Sequence, residues 1–198
     1  MSSEVQIARL ALQSIGDRFD IASLTEASPE AEQVNLVFDN VRDMVLREHP
    51  WKFARKYITP AALSGTPPGN WSYMYTYPSD AMRIIRIVNP LGDKAPPIRF
   101  EVARNADDTK VILTNEETPT FEYTKQVTDP QQFDPQFVIA LSYRIAQYIA
   151  IPITGDRQIM ADMKSMADIE VGKARSSDAN EGFEEERLSE ATWITARA

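Results

Sequence analysis

His49 is the only histidine of this 198-residue chain, and cysteine is absent. Those two facts bound its chemistry. A cysteine nucleophile, a zinc finger and a histidine-rich metal site all need side chains that the sequence lacks. A Ser–His–Asp site would have to be built on His49, yet no Gly-x-Ser-x-Gly turn offers a serine to it. No glycine-rich phosphate loop occurs either, since Gly65 and Gly69 flank prolines rather than opening a helix. Carboxylates remain. Asp107–Asp108 and Glu116–Glu117 are the pairs that acid–base or metal chemistry would use. Both fall in segments that read as hairpin turns, where a solvated role is favoured. Glu184, Glu185 and Glu186 read as a solvated helix face or a tail. The residues point to no catalytic site, cofactor or metal.

The other side chains with chemical potential are aromatic. Trp71, Tyr73, Tyr75 and Tyr77 stand at every second position, which places all four on one face of a strand. The plain reading is one packed face of a sheet. Such a row also suits a subunit interface, or a stacking platform for single-stranded nucleic acid if basic residues lie close by. Only Arg83 and Arg86 follow. The net charge of -8 argues further against phosphate neutralisation. Trp51 and Phe53 lie inside a basic stretch, Arg47 to Lys56, at the point where the hydrophobic period changes. Met160, Met163 and Met166 suit adaptable packing in a core or an interface.

The elements that must position these residues follow from periodicity. Apolar residues over 3–15 fit one helix face, with Gly16 at the stop. Residues 17–28 are polar and turn-like, anchored by Ile21 and Leu24. Ser28 caps a second helix, Pro29 fits its first turn, and Pro50 ends it. Short strands are predicted at 57–59, 71–77, 82–88, 100–104, 110–114 and 120–127, separated by turn residues. Helix returns after Asp134, is broken by Pro152 and Gly155, and resumes over 157–175. The helix after Asp134 is apolar on most sides, as a central helix is.

At 43% hydrophobic content the chain can bury one sizeable core. The expected fold class is α+β: a bundle of about four to five helices, residues 1–56 and 129–175, with an inserted antiparallel sheet module at 57–128. Residues 176–198 read as a C-terminal tail or arm, in which Phe183, Leu188, Trp193 and Ile194 could dock into a partner or fold back. The first ten residues lack a signal-peptide pattern. No apolar stretch approaches the roughly 18–20 residues of a bilayer span, so no membrane role is expected.

Two motifs in this order carry a resemblance. The first is a long helix followed by Leu46-Arg47-Glu48-His49-Pro50-Trp51-Lys52-Phe53-Ala54-Arg55. The second is Tyr73-Met74-Tyr75-Thr76-Tyr77-Pro78-Ser79-Asp80-Ala81-Met82-Arg83-Ile84. Together with the late helix through Ala140 to Ala146, they resemble bacteriophage head-to-tail adaptors. These are the tail tubular protein A and tail accessory factor type of short-tailed phages and gene-transfer particles. The resemblance implies a non-enzymatic virion protein of the neck, made in the bacterial cytoplasm. It implies a ring, typically of twelve copies, with the portal protein on one side and a tail or nozzle protein on the other. DNA would pass through the channel without specific binding, which suits an acidic chain. The C-terminal segment would reach the portal. Another neck connector, such as a stopper or tail completion protein, and a carboxylate-based hydrolase are the other readings left open.

Overall fold

Each helix begins where its sequence offers a cap. In the computed structural model, which describes residues 3–17, 20–92 and 94–181, Ser3 accepts from the backbone of Gln6 at the start of α1 (Glu4–Ser14). Ser28 accepts from Ala31 at the start of α2 (Pro29–Glu48). Asp134 accepts from Gln136 and Phe137 at α3 (Pro135–Thr154), and Asp156 accepts from Gln158 at α4 (Arg157–Asn180). Each such cap contributes about 1 kcal/mol by satisfying amides that have no partner within the helix. Gly16 and Gly155 follow α1 and α3 in the left-handed region, at φ 81° and 69°, where a side chain would be strained.

α3 is the hub of the helical body and touches α1, α2 and α4. Phe137, Leu141, Ile145 and Ile149 are buried along it. Full burial stabilises each such side chain by about 1.5–3 kcal/mol. Two sequence expectations are corrected here. By length and composition Pro135–Thr154 is long and apolar enough to cross a membrane, with half of that window buried inside the protein. Its apolar breadth answers three neighbouring helices at once. Pro152 does not break the helix, which runs on to Thr154. Standing in the last turn, the proline forfeits a single backbone bond before Gly155 ends the helix anyway.

The region between α2 and α3 is antiparallel sheet. Its strands are β1 (Arg55–Ile58), β2 (Tyr73–Thr76), β3 (Ala81–Ile87), β4 (Phe100–Arg104), β5 (Lys110–Thr114) and β6 (Phe121–Lys125). They form two three-stranded sheets, ordered β1-β6-β3 and β2-β5-β4. A core of Tyr75, Ile84, Ile87, Ile112, Phe121 and Tyr123 draws on both sheets. On the other face of β2 and β5, Met74, Val111 and Leu113 form a second cluster, covered by Leu63 and Trp71. The fold is α+β, with four α-helices and two small antiparallel sheets among the described residues.

Candidate functional site

The sequence placed its most informative residues where helix gives way to strand, and the junction is the best-defined constellation in the protein. His49 leaves α2 in an extended conformation, as the residue before a proline prefers. A short 3-10 turn, Lys52–Ala54, then leads straight into β1. Trp51 is 1% exposed. Its indole N–H donates to the Val45 carbonyl at 2.9 Å, satisfying a backbone acceptor near the end of α2. Its ring meets His49 and Phe137 edge to face, with centroids 4.8 and 5.1 Å away. Phe53 stands 5.0 Å from Phe137 and 6.0 Å from Phe133. Pairs of this kind add about 0.5–1.5 kcal/mol beyond the area they bury.

The end of α4 is pinned to the same place. Asp178, 8% exposed, accepts from the backbone N–H of Lys52 at 2.7 Å and sits 3.1 Å from His49 Nε2. α4 therefore continues to Asn180, past the boundary at residue 175 expected from its apolar stripe. Residues 176–180 belong to the helix rather than to a tail. Glu48 ties the last turn of α2 to both neighbouring helices, lying 2.8 Å from Arg175 and 3.9 Å from Arg144. Arg144 in turn pairs with Asp168 at 3.0 Å. Three helices and the first strand thus meet around one turn of chain.

The basic residues of this stretch are consumed within the fold. Arg47 donates to the Met82 carbonyl and Lys52 to the Ala179 carbonyl. Arg55 donates to the Pro50 carbonyl and lies 3.1 Å from Glu122. Lys56 pairs with Asp80 at 2.9 Å. A cluster that reads as a cationic patch in sequence is a set of internal ties in space.

Glu122 is the member of this set that sequence reasoning missed. Its side chain is 2% exposed, with Arg55 of β1 on one side and Arg86 of β3 on the other. The alternation of β6 suggests a solvent-facing glutamate, yet β6 is the central strand of its sheet and is buried on both faces. The available signal is the pair of arginines on flanking strands, which only the pairing order reveals. Phe133 was also missed. It stands immediately before the Asp134 cap, a position where a hydrophobic residue often staples a helix start.

Asp80 receives hydrogen bonds from Lys56 and, at 3.0 Å, from the Tyr123 hydroxyl. Burial pushes its pKa up, but these two bonds outweigh burial and hold it below its ordinary 3.8. Burial first, then the bond to Asp80, raises Tyr123. A depressed carboxyl stabilises the fold above its unfolded pKa and loses that contribution as pH falls through the native value. Asp80→Asn should therefore lower the melting temperature slightly at pH 7. The gap to the wild type should close as pH drops below about 4, which parallel melts across the acid range would check.

The aromatic row is split by the structure. Tyr75 is fully buried, and Tyr73 and Tyr77 pack against the same intersheet core. Trp71 does not share that face. It lies before β2 begins at Tyr73 and joins the cluster around Met74 on the opposite side. Strand alternation has no hold on a residue outside the ladder. The acidic pairs lie in turns and do other work: Arg104 pairs with Asp108, and the Glu116 and Glu117 carbonyls accept from the Tyr75 hydroxyl. Met160 and Met163 pack on the helical core, while Met166 is half exposed. Phe183, Leu188, Trp193 and Ile194 lie outside the described residues. No family model and no curated protein matches the chain.

Proposed function

We propose that the chain is a structural head-to-tail adaptor of a phage virion, without enzymatic activity. It joins the portal protein to the next tail or nozzle component, associates with copies of itself in a ring of twelve, and extends the DNA channel. The observation that carries this reading is the junction: a long helix, a proline, the buried Trp51 and the half-buried Phe53 packed beside it join a helical body to an inserted sheet module. A protein that transmits position between two assemblies needs its two halves held at a fixed angle. The ties from Arg47 to the Met82 carbonyl and from Asp178 to the Lys52 amide serve that need.

Charge supports the same reading. DNA that must slide past a surface is best served by one without free cations, because each phosphate neutralised adds affinity and drag. Here the basic stretch is internally partnered and the chain carries a net -8. The test is co-sedimentation of the purified chain with purified portal rings. Full-length protein is expected to travel with the portal, and protein truncated after Arg187 is expected to fold yet stay behind. Full-length protein that never travels with the portal would remove the adaptor reading. Truncated protein that binds as well as the intact chain would remove the docking role of Leu188, Trp193 and Ile194.

A further inference from the structure

We propose that the sheet module carries a binding site for a neutral saccharide, in the cleft walled by Trp71, Arg99, Glu101 and Asn115. The cleft is half open to solvent and offers about 450 Å³, within the roughly 300–1,000 Å³ typical of small-molecule sites. Its walls are held in place by bonds within the protein. The Trp71 indole packs against the Met74, Val111 and Leu113 cluster and donates its N–H to Glu101 Oε2 at 3.1 Å. That bond fixes the ring and leaves Glu101 Oε1 as an acceptor. Asn115 follows β5, and its Oδ1 accepts from both the backbone N–H and the hydroxyl of Ser72, at 2.9 and 3.1 Å. With Oδ1 so engaged, the Nδ2 group keeps two donors for a ligand. The Arg99 guanidinium makes no hydrogen bond or ion pair among the described residues, although its backbone carbonyl is tied to Thr114.

The chemistry of these groups selects the ligand. A pyranose ring offers a face of C–H groups and a rim of hydroxyls, each able to donate and accept. The indole matches the C–H face through dispersion and apolar burial. Carboxylate, amide and guanidinium supply an acceptor and several donors around the rim. Opposite charges on Arg99 and Glu101 leave the cleft neutral overall. A nucleic-acid strand would ask instead for a basic groove beside the stacking ring. Because Trp71, Glu101 and Asn115 are already fixed, the ordering that opposes binding falls mainly on Arg99. The site draws on the segment before β2, on the start of β4 and on the residue after β5, and does not depend on the adaptor reading.

The test uses the full chain on an array of neutral oligosaccharides spanning common hexoses, deoxyhexoses and N-acetylhexosamines, with single-stranded oligo-dT as the charged comparison. The best array binder is then titrated calorimetrically. Asn115→Asp keeps the acceptor that holds Ser72 but turns the free donor into an acceptor, and Arg99→Met removes the guanidinium. Each should weaken saccharide binding about tenfold or more, with melting temperatures close to the wild type. Trp71→Ala should abolish binding. An array without a binder, oligo-dT bound more tightly than any saccharide, or affinity unchanged in both Asn115→Asp and Arg99→Met would overturn the proposal.

Discussion

Trp51→Ala is expected to destabilise the protein by about 3–5 kcal/mol. For a domain of this size that is a fall in melting temperature of roughly 6–20 °C, at about 2–4 °C per kcal/mol. Three losses combine. The largest fully buried side chain among the described residues is removed, leaving a cavity that α2 and α3 cannot close without moving. The edge-to-face contacts with His49 and Phe137 go with it. The Val45 carbonyl loses its indole donor, at about 1–3 kcal/mol if no water replaces it. Trp51→Phe keeps most of the volume but not the donor, so it should fall between wild type and alanine. Calorimetric melts of the three proteins decide the matter, and an alanine variant melting with the wild type would show that the junction is not core.

Glu122→Leu should cost about 2–4 kcal/mol. Removing one partner from a buried ion pair costs about 3–5 kcal/mol, because the other charge is left without compensation. The lower figure applies because Arg55 and Arg86 reach solvent, with side chains 29% and 44% exposed. The damage should be reversible in a particular way. Replacing Arg55 and Arg86 by methionine alongside Glu122→Leu substitutes apolar packing for the whole triad, an exchange that is often neutral. Chemical denaturation is therefore expected to show a low midpoint for the single variant and recovery of most of the loss in the triple variant. A single variant as stable as the wild type would mean that the triad contributes nothing to holding β1, β6 and β3 together.

Local chemistry made most of the elements legible. Ser28 and Asp134 announce helix starts because a short polar side chain there satisfies amides the helix leaves open. The predicted strand spans 100–104 and 110–114 coincide with β4 and β5, whose alternating residues are joined by an Asn105-to-Thr109 turn. What stayed hidden depends on partners distant in sequence. Asp178 extends α4 because it meets Lys52, 126 positions earlier, and no apolar periodicity signals that. Glu122 is buried because Arg55 and Arg86 arrive from other strands. Trp71 leaves the aromatic row because the ladder starts two residues later. The bonds that organise its cleft, to Glu101 and from Ser72 to Asn115, span 30 and 43 positions.

The adaptor reading stands or falls on where the protein sits. Electron microscopy of purified portal rings incubated with the intact chain addresses that directly. The expected result is a second ring with twelve-fold symmetry stacked coaxially on one face of the portal, its helical bodies against the portal and its sheet modules pointing away. Portal rings that remain bare at saturating protein, or density attached without rotational order, would contradict it.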